Sequence, residues 1–190
     1  MNDKKVRFLF LRLQKHCPMT AQHSLRVAEI AQQLATTDRE RALFHTCGLL
    51  HDIGKISIPI SLLQKEVALT DTEVMAIRTH TALGRDILHK NSFPQQVVNA
   101  AHFHHERCLG NGYPCCLVDI PYEARVIAVA DVYAALTENR AYRKAHSLQE
   151  SISILKIQAE GGGLDPFITQ KLISQISEDV QLYLGANAFG

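Results

Sequence analysis

Apolar positions recur at helical spacing along most of the chain, and that period sets the fold expectation. Behind Thr20 as a candidate N-cap, Leu25, Ala28, Ile30, Ala31 and Leu34 predict a helix over 20–35. A second helical segment runs over 38–50 from Asp38. Gly54 and Pro59 interrupt the pattern, and Ile56–Ile60 is the best short strand candidate. Thr70 and Glu73 form a capping-box pattern ahead of a helix through about His89. Pro94 begins another helix, ending near His105. Residues 106–121 contain Gly110, Gly112, Pro114 and Pro121 and read as a long loop, a feature that often carries function in compact domains. A very apolar helix follows over 122–138. Ser147 and Glu150 repeat the capping box before a helix to about Ala159, Gly161–Gly163 stop it, and Asp165-Pro166 starts the last helix. The expectation is an all-α fold in one domain.

Charge narrows the functions. Twenty basic residues nearly cancel nineteen acidic ones, so the chain lacks the net basic surface of a dedicated binder of polymeric nucleic acid. Lys4, Lys5, Arg7, Arg12 and Lys15 crowd the start and read as a solvated helix face. No apolar run approaches the roughly 20 residues of a membrane span, and the start lacks a signal-peptide core, so no membrane association and a cytoplasmic location are expected. Five cysteines, an odd count without framework spacing, suggest reduced thiols.

Histidine changes the picture most. The chain holds ten, and several stand beside one another or beside an acid. His51-Asp52 ends one helical segment and is followed by Gly54 and Lys55; His104-His105 ends another; His23 and His80 lie within predicted helices. Asp131 sits in the apolar run Arg125–Leu136, where a buried ionised carboxylate needs an ion pair or a metal. Imidazole and carboxylate suit iron, manganese, zinc or nickel. A carboxylate has two oxygens and can bridge two ions, whereas an imidazole nitrogen binds one. Two ions about 3.5–4 Å apart can activate water and stabilise an in-line phosphoryl displacement. His23, His51, Asp52, His80, His104, His105 and Asp131 supply seven candidate ligands. His16, His45, His89, His102 and His146 are expected to be bystanders. A zinc site built from His104, His105, Cys108, Cys115 and Cys116 matches no common finger spacing and leaves His51-Asp52 and Asp131 unexplained.

The ordered motifs carry a family resemblance over His23 to Pro166. They are His23-Ser24-Leu25-Arg26-Val27, His51-Asp52-Ile53-Gly54-Lys55-Ile56-Ser57-Ile58-Pro59, His80, His104-His105-Glu106, Gly110-Asn111-Gly112-Tyr113-Pro114, Ala130-Asp131-Val132-Tyr133, Ala135-Leu136-Thr137, Arg140-Ala141-Tyr142-Arg143 and Asp165-Pro166. Together they resemble the HD-GYP family of cyclic dinucleotide phosphodiesterases, a branch of the HD-domain metal phosphohydrolases. The resemblance implies a single HD-GYP-type helical domain over 1–190, with a core over about 20–176, a basic N-terminal helix and a C-terminal tail as extensions. It implies hydrolysis of cyclic di-GMP with two divalent ions, iron or manganese first and zinc or nickel as alternatives. His23, His51, Asp52 and Asp131 correspond to ligands of one ion, and Asp52, His80, His104 and His105 to ligands of the other. Asp52 and Lys55 take the catalytic positions. Lys55, Tyr113, Arg140 and Arg143 take positions that contact substrate. The loop with Tyr113 is also a candidate contact for signalling partners.

Departures from the family pattern refine this. Met19 stands where some members have a glutamate for a third metal, which implies two ions and a linear dinucleotide as the main product. Cys108-Leu109, Ala134 and Ala141 replace Trp-Asp, Asp and Pro. They leave the metal set intact and bear on substrate. An HD phosphohydrolase acting on another cyclic dinucleotide or nucleotide, or a non-catalytic signalling adaptor docking through the Gly-Tyr-Pro loop, are the alternatives.

Overall fold

The computed structural model describes residues 3–139 and 144–186, so the expected substrate contacts Arg140 and Arg143 lie outside the described residues. The described residues form ten α-helices and one short 3-10 turn, with no strand among them. The helices are α1 (Asp3–His16), α2 (Pro18–Gln33), α3 (Asp38–Leu50), α4 (Ile60–Leu63), α5 (Asp71–Arg78), α6 (His80–Lys90), α7 (Gln95–Phe103), α8 (Tyr122–Thr137), α9 (Leu148–Glu160) and α10 (Pro166–Ala186). The 3-10 turn, Ile53–Ser57, with the start of α4 behind it, occupies the expected strand Ile56–Ile60. Gly54 and Pro59 break the helical ladder there without any neighbour to pair as a sheet.

The fold is built around α8. Ala124, Val126, Ile127, Val129, Ala130 and Ala134 on it are fully enclosed, with the apolar character all round that marks a central helix. It packs against α2, α3 and α7. Burying each large side chain of this core, such as Phe44, Leu50, Ile127 or Leu88, contributes about 1.5–3 kcal/mol. Helix α3 approaches α2 closely at Gly48, where a Cβ would stand 2.4 Å from the Ala28 Cα.

Two features differ from the sequence expectation. The basic N-terminal helix is part of the core, because Val6, Leu9 and Leu13 turn one face of α1 inward while Lys4, Lys5, Arg7, Arg12 and Lys15 stay in solvent. The single helix expected over 70–89 is broken at Thr79, whose hydroxyl donates to the Ala76 carbonyl at 2.6 Å. The capping boxes at Thr70/Glu73 and Ser147/Glu150 are both formed. Among the described residues no helix is long and apolar enough to cross a membrane.

Candidate metal centre

The centre is assembled from helix ends. His51 follows the last residue of α3, His104 follows the last of α7, and His80 begins α6 just beyond the break after α5. Carbonyls in the last turn of a helix lack their regular partner, and these histidines use them. Nδ1 of His51 lies 2.7 Å from the Gly48 carbonyl oxygen, and Nδ1 of His80 lies 2.6 Å from that of Ile77. Nδ1 of His104 lies 3.1 Å from the carbonyls of both Ala100 and Ala101. A carbonyl only accepts, so Nδ1 carries the proton and Nε2 is left as a lone-pair donor turned to the interior. His23 lies inside α2 and is held differently: Nδ1 is 2.9 Å from Glu138 Oε2 and Nε2 is 2.8 Å from Asp131 Oδ1.

Asp52 stands between two groups of imidazoles and is only 2% exposed. Its Oδ2 lies 3.4 Å from His51 Nε2 and 2.5 Å from Lys55 Nζ. Its Oδ1 lies 3.3 Å from His80 Nε2 and 3.9 Å from His104 Nε2. The two oxygens therefore face different imidazoles, the arrangement a bridging carboxylate needs. Asp52 Oδ1 and His51 Nε2 are buried without a hydrogen-bond partner. Such atoms are costly unless something polar meets them, and a cation would meet both.

The donor set fits metal ions. The donor atoms of His23, His51 and Asp52 lie within 4.8 Å of one another, and so do those of His80, His104 and His105, and of His51, His104 and Asp131. Two cis ligands about 2.1 Å from one ion are themselves roughly 3 Å apart. The His23–Asp131 and His80–Asp52 separations, 2.8 and 3.3 Å, are of that size.

Electrostatics divides the centre in two. Burial pushes the His80, His104 and His105 imidazoles down, His105 to about 3, so they stand neutral with free lone pairs. Burial acts on His23 in the same sense, but the carboxylates of Asp131 and Glu138 outweigh it and raise His23 to about 9. Burial would push Asp52 and Asp131 up. Lys55, His51 and His80 hold the first well below the usual carboxylate range, and the bond from His23 does so for the second. The His23 side is thus rich in carboxylates and the His80 side is rich in neutral imidazoles.

An open cleft of about 1160 Å³ leads to the centre, lined by His23, Asp52, Lys55, His105 and Asp131. Met19 also lines it and is 60% exposed. Lys55 is anchored on Asp52 and keeps part of its side chain in the cleft. Tyr113 stacks on His105 with ring centres 4.6 Å apart, and the Arg78 guanidinium lies over the Tyr113 ring, 4.7 Å from its centre. The loop beyond His105 is tied down by Glu106. Its buried carboxylate accepts the backbone N–H of Cys115 at 2.6 Å and of Leu117 at 3.0 Å, so it anchors the loop, not a ligand histidine. Gly112 is required under that loop, because a Cβ there would lie 2.4 Å from the Glu106 Cα.

The seven expected ligands are brought together. Two of the expected bystanders are engaged elsewhere: His102 meets Arg85 and Phe103, and His16 meets the Ile58 carbonyl. Cys115 and Cys116 are exposed, and no cysteine joins the donor groups among the described residues. Glu138 is the residue sequence reasoning missed. Its signal was its spacing, seven residues or about two turns beyond Asp131, which returns it to the same side of α8.

Comparison with known proteins agrees with this geometry. A family model described as an HD domain matches residues 6–168. The chain is 38% identical to the "3'3'-cGAMP-specific phosphodiesterase 1" of Vibrio cholerae serotype O1, over 86% of this chain and 39% of that protein. It is 34% identical to a "Probable cyclic di-GMP phosphodiesterase" of the same organism, over 100% of this chain and 51% of that protein. The chain thus spans about half or less of the length of these curated relatives. Among solved structures, the HD domain of the L. monocytogenes phosphodiesterase PgpH in complex with cyclic-di-AMP superposes with a TM-score of 0.66 at 21% identity, covering 90% of this chain and 95% of that one. That likeness shows the fold.

Proposed function

The chain belongs to the HD-domain family, in its HD-GYP branch, and from that premise we propose that it is a metal-dependent phosphodiesterase that opens cyclic di-GMP, mainly to the linear dinucleotide. The observation that carries this reading is Asp52, a buried carboxylate whose two oxygens face different imidazoles at the floor of an open cleft. His23, His51, Asp52 and Asp131 would hold one divalent ion, and Asp52, His80, His104 and His105 the other. Iron or manganese suits this mixture best, with zinc and nickel as alternatives. When bound, the two ions supply Lewis-acid polarisation of the phosphoryl oxygens and activation of a water.

The chain's own residues do the rest. Backbone carbonyls hold His51, His80 and His104 with Nε2 inward, the orientation in which each would serve as a ligand. Lys55 places an ammonium beside Asp52 at the cleft wall, where it stabilises charge developing on a phosphate oxygen. Tyr113, stacked on His105, forms a rim against which part of the dinucleotide rests. Arg140 and Arg143 would grip phosphate or guanine with their planar donors. Met19 offers a thioether in place of a further carboxylate, which favours two ions over three and a reaction that stops at the linear product.

A second substrate, 3'3'-cGAMP, is favoured by the relative 38% identical that carries that name. The loop over 106–121, with Leu109 and Val118 exposed, is the surface on which a signalling partner would dock. Five free cysteines fit a reducing, cytoplasmic setting.

The test is purification under reducing, low-oxygen conditions with iron or manganese, followed by metal analysis and product analysis with cyclic di-GMP, 3'3'-cGAMP and cyclic-di-AMP. Two ions and a linear dinucleotide are expected. Absence of metal, or metal without turnover of any of the three, overturns the reading. Asp52→Ala should lose both ions, and full metal content in that variant would show that Asp52 does not bridge.

A further inference from the structure

His23 stands apart from the other anchored imidazoles. His51, His80 and His104 hand their Nδ1 protons to backbone carbonyls at helix ends. His23 lies in the interior of α2, where the carbonyls are committed to the helical ladder. Its Nδ1 is met by a side chain instead, Glu138 Oε2 at 2.9 Å. Glu138 is the residue directly after α8, and Asp131, which meets the other nitrogen of the same ring, lies two turns earlier on that helix. Ala134, between them on that side, is buried and too short to reach.

The second oxygen of Glu138 lies 3.9 Å from Arg26 Nε, and the Arg26 guanidinium donates to Thr137 Oγ1 at 3.1 Å. Arg26 is three residues beyond His23 on α2, so the contacts also clasp α2 to the end of α8. A purely structural clasp and a role at the metal centre therefore make different demands on the same carboxylate.

We propose that Glu138 is a positioning residue of the metal centre: its carboxylate accepts the Nδ1 proton of His23 and fixes Nε2 toward the ion shared with Asp131. This rests on the metal-centre reading above. A carboxylate acceptor makes its imidazole a more electron-rich ligand than a carbonyl does, and removing such a partner typically costs about 10–100-fold in metal affinity. The loss should fall on one ion only. The His80, His104 and His105 group has no contact with Glu138 among the described residues, and its carbonyl anchors stay in place.

The experiment is a manganese titration of the metal-free chain by competition with a chelating dye, comparing wild type, Glu138→Ala, Glu138→Gln and Arg26→Ala. Wild type should bind two ions. Glu138→Ala should bind one as before and the other about 10–100-fold more weakly. Glu138→Gln keeps an oxygen acceptor and should recover part of the loss. Arg26→Ala breaks only the clasp and should keep both affinities. In the zinc-loaded protein, a downfield proton resonance of His23 Nδ1–H should be present in wild type and absent in Glu138→Ala. Two ions at wild-type affinity in Glu138→Ala, with a melting temperature lowered as in Arg26→Ala, would overturn the proposal and leave only a clasp. If wild type itself binds no ion, the metal-centre reading falls and this proposal falls with it, an outcome the wild-type titration alone identifies. Should Glu138→Ala fail to fold, the near-isosteric Glu138→Gln carries the test: affinity below wild type at one ion supports the proposal, and equal affinity at both, with the Nδ1–H resonance unchanged in position, overturns it.

Discussion

Replacing Gly54 with alanine should damage both the fold and the metal centre, and replacing its neighbour Gly84 should not. The two glycines face each other where the 3-10 turn Ile53–Ser57 lies on α6. A Cβ on Gly54 would stand 1.9 Å from the His80 carbonyl oxygen, 2.6 Å from the Gly84 nitrogen and 2.8 Å from the His80 carbonyl carbon. Ordinary contact begins near 3.4 Å, so the turn and α6 would have to part by about 1.5 Å. All three obstructing atoms belong to backbone and cannot rotate away. The cost therefore falls at the upper end of the overpacking range, about 3 kcal/mol. In a chain of this size that lowers the melting temperature by about 6–12 °C. The same displacement acts on the metal centre, because Asp52 precedes the turn and its Oδ1 lies 3.3 Å from His80 Nε2. Opened by the same amount, that gap is too wide for both atoms to hold one ion at about 2.1 Å.

A Cβ on Gly84 meets nothing closer than 3.4 Å, at the Gly54 nitrogen, with Ala101 Cβ and Ile53 Cγ2 at 3.6 Å. Alanine there should gain up to about 1 kcal/mol from helix propensity. The assay is thermal unfolding of the metal-free chains together with metal analysis of the loaded ones. Gly54→Ala that melts with wild type and holds two ions would refute the close approach, and so would a Gly84→Ala that is as damaged as Gly54→Ala.

Two further outcomes follow from the same geometry. Glu106→Ala removes the acceptor of the Cys115 and Leu117 N–H groups, so amide exchange at both should accelerate while the metal content stays unchanged; unaltered exchange would show that the loop is held by other contacts. In the metal-free protein, stability should peak near neutrality. Burial holds His80, His104 and His105 below 6.5, His105 at about 3, so below pH 6.5 the unfolded chain binds protons that the fold refuses, and stability drops as the pH is lowered. His23, raised to about 9, contributes fully below 6.5 and loses its contribution as pH rises from there through 9. A denaturation midpoint that stays flat from pH 5 to 9 would refute both effects.

The helical period, the capping boxes and the seven donors were legible because each is a local or compositional signal. What was not legible depends on contacts distant in sequence. Thr79 breaks a continuous helical pattern without a glycine or proline, and the break matters because it delivers His80 to the centre. The charges of α1 suggested an appendage, while its three inward positions, Val6, Leu9 and Leu13, are too few to announce a core helix. Glu106 stood in the sequence only as part of the His104-His105-Glu106 motif, and its partners are backbone groups that no side-chain pattern reports. Glu138 lies 115 residues from the histidine it meets.

The way the imidazoles are held also sets how the centre can vary under mutation. The acceptors behind His51, His80 and His104 are main-chain carbonyls, of Gly48, Ile77, Ala100 and Ala101, and a side-chain change at Ile77, Ala100 or Ala101 leaves the acceptor atom itself in place. No single codon change can delete them while the helices keep their ends. The acceptor behind His23 is a side chain, and one codon change can shorten it, neutralise it or remove it. One half of the centre is therefore buffered against drift and the other is adjustable. Among descendants of such a chain, differences in metal preference should accumulate on the His23 side.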